Sequence, residues 1–411
     1  MANMLLAMLV ALVLAFLLSE IFRHFRLPRV IGQILAGIIL GFPIIKSSLF
    51  TDETEPIFSF ATNLGIILLF FFIGLEINLV QFRKNFRESS LIAIFNTLVP
   101  LLAGFLAAKF LFGFNNLASL VLGISVSVSS QAISLDILEE MKLLRSKIGN
   151  LIITSGTVDD IFELLLISSI LMVFHSAIGQ FSLQKLILDI GIFVMMAILF
   201  RVLVIPLGLK LIGKDTSRSA FFMRALIIVL LMSYISELLG VGSLIGALIA
   251  GMLVRQTLTA GESRKPWRMN EISHSIHTIS FGFLIPLFFV SVGMNTNINA
   301  ISSNLFLVLV FIVIDILGTL VGTIIGVLLS KGTFREGMIV GWGVIPKGDT
   351  ELVIATLALN GGLITRDIFT AIITVALFST FLAPIVFKML VKKHSTTSIK
   401  KQRFIKIRRS D

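Results

Sequence analysis

Apolar residues run along this chain in long blocks rather than in short alternating patterns. Blocks of about 17–25 residues, the length of a helix that crosses a bilayer, recur from end to end. They predict thirteen helices, near residues 4–22, 29–44, 56–78, 89–111, 117–138, 146–174, 183–211, 219–239, 241–255, 271–293, 303–330, 335–359 and 366–391. Segments 2 and 9 are short and rich in glycine, which favours close helix packing. Segments 8 and 9 nearly abut, joined at Gly240 and Gly242. The pattern predicts an all-α polytopic membrane protein, with one integral membrane domain over 1–391 and a basic tail over 392–411.

Composition supports this. The 411 residues are 56% hydrophobic and 14% charged, with a mean hydropathy of +1.02, whereas a soluble chain is about 25% charged. The net charge of +11 is no nucleic-acid signature, because the Lys and Arg residues sit between apolar runs and in the tail. Without cysteine, disulfides and thiol chemistry are excluded, and nothing calls for a cofactor. The first apolar run has no basic residues before it and Arg23, His24 and Arg26 after it. It therefore reads as a spanning helix rather than a cleaved signal peptide.

Loop charges orient the segments. Basic residues cluster after the odd ones: Arg23, Arg26 and Arg29; Arg83, Lys84 and Arg87; Lys142, Arg145 and Lys147; Lys210, Lys214, Arg218 and Arg224; Arg255, Arg264, Lys265 and Arg268; Lys331 and Arg335; then the tail. Loops after even segments carry only Lys46, Lys185 and Arg366. Positive charge is retained on the cytoplasmic side. The expected arrangement in the cell membrane has the N-terminus outside and the C-terminus cytoplasmic, with the tail against anionic lipid.

Each ionised side chain at the bilayer centre costs about 2.5–3.5 kcal/mol on insertion scales, so the acids and bases inside segments carry the information. Thr157-Val158-Asp159-Asp160-Ile161-Phe162-Glu163 lies near the middle of segment 6. Two adjacent carboxylates away from water cannot both ionise cheaply, and they titrate as a coupled unit. Oxygen ligands with negative charge also suit a hard cation. Asp159 and Asp160 can thus hold protons or a cation, and that competition is the minimum machinery of exchange. Glu163 follows Asp159 by four residues and shares its face. The competing reading is a pair of acids tied up by basic partners in a static bundle.

Segment 5 places Ser125, Ser127, Ser129, Ser130 and Ser134 around Gln131. Their side chains can satisfy backbone groups freed by unwinding and can ligate a dehydrated cation; ordinary hydrogen bonding between helices is the alternative. Segment 12 contains Gly341-Trp342-Gly343-Val344-Ile345-Pro346-Lys347-Gly348-Asp349-Thr350-Glu351, and its proline and glycines break a helix. Lys347 is expected at the negative end of the first half-helix, and Asp349 and Glu351 at the positive start of the second. Two interrupted segments, each next to last in its half, predict crossed discontinuous helices in inverted repeats, segments 4–6 mirroring 11–13. Asp315 lies deep in segment 11 with no partner evident in the sequence. Glu76 is expected at an interface.

Across nearly its whole length the sequence resembles the second branch of the monovalent cation:proton antiporter superfamily. That branch holds NapA-type sodium/proton antiporters and glutathione-gated potassium efflux systems. The resemblance rests on Leu27-Pro28-Arg29 through Gly41, Gly74-Leu75-Glu76, Ser129-Ser130, Gly246-Ala247, Ala250-Gly251, Pro286-Leu287-Phe288 through Met294, and Pro346-Lys347-Gly348-Asp349. It implies a thirteen-helix homodimer with a core domain, about 89–175 and 303–391, moving past a dimerisation domain made of the remaining helices. It implies Asp159 and Asp160 as the proton- and metal-ion-binding pair. Ser129, Ser130, Gln131, Thr157, Glu163, Lys347, Asp349, Glu351 and Asp315 are the supporting residues. Two aspartates favour Na⁺ or Li⁺; a K⁺/H⁺ exchanger or K⁺ efflux system is the alternative, since its members usually carry Gln-Asp there. Relatives place a lysine in the helix before the second break, where this chain has Asp315. An intramembrane aspartyl protease, the enzyme alternative, would resemble Tyr-Asp and Gly-x-Gly-Asp on two helices. Here Tyr234 precedes Ile235, and Lys347-Gly348-Asp349 lacks the first glycine.

Overall fold

The computed structural model describes residues 2–25, 27–76, 86–130, 134, 138, 141, 143, 146–156, 158–159, 162–163, 166, 191–192, 195, 198, 202, 218–239, 242–259 and 274–407. In chain order the helices are α1 (Ala2–His24), α2 (Arg29–Leu40), α3 (Pro43–Leu49), α4 (Glu55–Glu76), α5 (Phe86–Leu106), α6 (Asn116–Ser127), α7 (147–156), α8 (Arg218–Leu238), α9 (Ser243–Thr259), α10 (Ile285–Met294), α11 (Ile298–Ser303), α12 (Leu305–Leu329), α13 (Phe334–Val344), α14 (Asp349–Asn360) and α15 (Arg366–Ile407). Among the described residues there is no strand. Six helices there are long and apolar enough to cross a membrane, or seven if α2 and α3 form one span. Most of the predicted segment 7 and the later part of segment 6 lie outside the described residues.

The helices follow the predicted segments, with local differences. Segment 2 was expected to run on to residue 44, but the chain turns by 87° between α2 and α3. Gly41 and Phe42 interrupt the helix, and Pro43 restarts it at a first turn that needs no N–H donor. Before α10 a π-helical turn, Ser280–Leu284, precedes Pro286. A proline inside a helix removes one backbone donor, and widening the turn is one way to absorb the loss. The last helix continues through the basic tail to Ile407.

The chain divides into two compact units. The first comprises Met1–Ile21, Gly32–Leu79 and Leu164–Asn295. In its α1, Ala7, Ala11, Ala15 and Ser19 form the buried stripe, while Leu5, Leu9, Phe16 and Ile21 are exposed. Large apolar residues outside and small ones inside reverse the order of a soluble helix. The arrangement is stable in lipid, where tight packing between backbones rather than water exclusion holds helices together.

The second unit comprises Phe22–Ile31, Val80–Glu163 and Thr296–Asp411. Its central α12 follows the same rule. Asp315, Gly318, Thr319, Gly322, Thr323 and Gly326 are buried on one face, and Leu309, Val313, Leu317 and Leu328 are exposed on another. A Cβ added to Gly322 would run into the Phe95 carbonyl of α5. This close approach lets the neighbouring Thr323 Oγ1 donate to Asn96 Oδ1 at 3.0 Å. A cluster of Ile92, Leu138, Ile152, Val340, Val344 and Phe387 closes another part of this unit.

Gly322→Ala is expected to lower stability by about 1–3 kcal/mol, as overpacking of a tight contact does. Gly282→Ala, where an added Cβ would meet nothing within 4 Å, is expected to stay within about 0.5 kcal/mol. Thermal unfolding of the purified protein in detergent checks both.

Candidate functional site

The two broken segments meet inside the second unit. Helix α6 starts at Asn115, whose side chain accepts from the Ala118 N–H at 2.8 Å. It ends at Ser127, and residues 128–130 are non-helical. Helix α13 ends at Val344, residues 345–348 are non-helical, and α14 begins at Asp349. The Ser130 N–H donates to the Pro346 carbonyl at 2.8 Å, so the breaks cross there. Gly348 is needed for the same approach: a Cβ on it would strike the Ser130 side chain.

Unwound backbone in a membrane protein must find partners for every freed N–H and C=O. Side chains supply them here. The Lys347 N–H donates to Thr380 Oγ1 at 3.0 Å, and that hydroxyl donates to the Lys347 carbonyl at 2.7 Å. Ser134 Oγ lies 2.7 Å from the Gly343 carbonyl and 2.9 Å from that of Ser130.

Lys347 is fully buried. Its Nζ donates to the carbonyls of Val126 at 2.9 Å and Val128 at 2.6 Å, and lies 3.0 Å from Asp315 Oδ1. The ammonium therefore sits at the negative C-terminal end of α6, not at the end of its own half-helix as the sequence suggested. The break carries the lysine backbone past the crossing, and the long side chain reaches the other broken helix. Asp315, without a partner in the sequence, finds one here. The acid stands on the helix before the second break and the base stands on the break itself.

Asp159 is 1% exposed. Three neutral groups hold it: Asn96 Nδ2 at 3.2 Å and Ser129 Oγ at 2.5 Å donate to Oδ2, and the Thr97 hydroxyl to Oδ1. Glu163, also buried, accepts the Ser129 N–H at 2.7 Å. Two carboxylates one helical turn apart thus fasten the first break. Among the described residues no basic side chain pairs with Asp159; Lys347 acts on it only through its field.

Of the other predicted residues, Asp160, Thr157 and Gln131 lie outside the described residues, as do the side chains of Asp349 and Glu76. Glu351 is fully buried. Among the described residues no group of three or more His, Cys, Asp or Glu side chains could hold a metal ion. Sequence reasoning passed over Asn96, Thr97, Thr323 and Thr380. The first two left a legible signal, a polar pair amid the apolar run Ile94-Phe95-Asn96-Thr97-Leu98-Val99. Thr380 left none, because a lone threonine is ordinary in a spanning helix.

A buried carboxylate beside two crossed, broken helices in a polytopic bundle defines a membrane transporter of the secondary type. The chain belongs to the transmembrane sodium/hydrogen exchanger family, which it matches over residues 8–393. It is 29% identical over 376 residues to the Na⁺/H⁺ antiporter of Enterococcus hirae, covering 91% of this chain and 94% of that protein. It is 26% identical over 357 residues to the Na⁺/H⁺-K⁺ antiporter GerN of Bacillus cereus, covering 87% and 88%. Its fold is similar to that of the sodium proton antiporter MjNhaP1 of Methanocaldococcus jannaschii at pH 8, with a TM-score of 0.69, 16% identity, and 95% and 99% of the two chains covered.

Lys347→Met leaves Asp315 buried without a counter-charge and is expected to cost about 3–5 kcal/mol. In the double variant Lys347→Met/Asp315→Leu the loss is expected to fall short of the sum of the single losses, with a coupling of about 0.5–3 kcal/mol. Unfolding of the three variants in detergent measures this cycle.

Proposed function

We propose that this protein exchanges Na⁺, or Li⁺, for protons, with Asp159 and Asp160 binding one or the other in turn as the site opens to alternate sides of the membrane. The observation that carries this reading is the set of partners around Asp159. Its donors among the described residues are all neutral, so the net charge of an ionised carboxylate is left for a proton or a cation to balance. The nearby lysine is already committed to Asp315.

The hydroxyl of Thr97 supports the reading. It has one hydrogen and two acceptors, Asp159 Oδ1 and the Ala93 carbonyl at 2.9 Å. When Asp159 is ionised the hydroxyl donates to it. When Asp159 is protonated the hydroxyl turns to the backbone and accepts from the acid. Both states are met without moving a helix.

A cation would draw on the same oxygens. Asp159 with Ser129 and Thr97 offers the hard ligands that Na⁺ takes, and Asp160 follows in sequence. Sodium is favoured over potassium by the paired aspartates and by the names of several similar proteins. In this proposal the second unit is the ion-carrying core, the protein is a homodimer in the cell membrane, and the C-terminus is cytoplasmic.

Purified protein in liposomes containing a pH-sensitive dye tests the assignment. Na⁺ or Li⁺ gradients are expected to drive proton movement, and Asp159→Asn and Asp160→Asn are expected to bring it down to the level of empty liposomes. Wild-type rates in Asp160→Asn would overturn the site, and a response to K⁺ alone would overturn the choice of ion.

A further inference from the structure

Glu351 lies in the first turn of α14, just past the second break. It is 0% exposed, and among the described residues neither carboxylate oxygen has a hydrogen-bond partner. The charged side chains that act on it are Lys347 and Asp315. From α6 and α15, the helices packed against α14, no described charged group adds to them.

Lys347 cannot serve two acids at once. An ammonium has three N–H donors, and its three neighbours are Asp315 Oδ1 and the carbonyls of Val126 and Val128. One lysine and one aspartate already balance. An ionised Glu351 would leave a net negative charge buried, among the described residues, with neither a donor nor a counter-ion of its own, which costs several kcal/mol. A metal cation is a poor remedy, because the fixed ammonium nearby repels it. A proton is not subject to that limit: it forms a covalent O–H and leaves a neutral group.

We propose that Glu351 is a proton-binding residue of the transport cycle. It is neutral while Lys347 is committed to Asp315 and the two α6 carbonyls, and it ionises when the crossing rearranges and frees an N–H of Lys347. The step is a simple dissociation: the carboxylic O–H breaks, the carboxylate turns to the ammonium, and the proton leaves to water. The inference rests on the ion-exchange reading above and adds a proton to the one competing with the cation at Asp159 and Asp160. Its structural basis is separate from theirs. Asp159 is held by three neutral donors, while Glu351 is held by none among the described residues.

Glu351→Gln keeps the shape of the neutral acid but cannot ionise. In liposomes it is expected to retain exchange while the slope of log rate against pH falls by about one proton. The infrared band of a buried protonated carboxyl, present in the wild type, is expected to vanish. A pH profile identical to the wild type would overturn the proposal. So would a protonated-carboxyl band that persists unchanged in folded Glu351→Gln.

If Glu351→Gln does not fold, Glu351→Asp made with isotope-labelled glutamate decides. The labelled protonated-carboxyl band of the wild type must disappear, and its persistence would overturn the proposal. Asp159→Asn separates the two readings in the same preparation. Exchange surviving that change sinks the ion-site assignment and leaves the Glu351 band as it was.

Discussion

An ammonium group withdrawn from water needs three acceptors and a compensating charge, and Lys347 finds all of them at one point. Asp315 supplies the charge and two carbonyls at the end of α6 supply the remaining acceptors. Much of the second unit is organised around this contact. It joins the helix before the second break to the break itself, and the break to the end of the other interrupted helix. It also holds open an unwound backbone that lipid would otherwise force back into helix, because each carbonyl it satisfies is one that helix formation would have claimed.

This contact separates two kinds of buried acid. Asp315 has a full positive charge beside it, the Lys347 ammonium at 3.0 Å. Asp159 is held by dipoles alone, from Asn96, Thr97 and Ser129. Dipoles lower the cost of desolvation but cannot cancel a net charge, so the group continues to require a proton or a cation.

Helix packing keeps these groups in register. On α12 a stripe of glycine and threonine faces inward while leucine and valine face outward. The small side chains let α5 approach until Phe95 meets Gly322. Asn96 then lies within reach of both Thr323 and Asp159. A larger residue at Gly322 would separate the helices and with them the donors of the acid, although it touches no acid itself.

The helical segments, their breaks and the rarity of charge inside them were legible in the chain, because a bilayer imposes length and polarity on each segment independently. Pro346 and the serines of segment 5 announced the breaks, since freed backbone groups need polar neighbours close in sequence. The two adjacent acids of the proposed site stood out because charge in a spanning helix is costly. Partnership was not visible. That Lys347 belongs to Asp315 and to α6, that Asn96 and Thr97 serve Asp159, and that Thr380 holds the backbone of Lys347 depend on contacts between residues from 32 to 221 positions apart. Sequence alone determined which residues must be neutralised within the membrane. Only the tertiary structure decided which are neutralised by each other and which are held by neutral donors alone, because that depends on distances between helices and not on the residues along one.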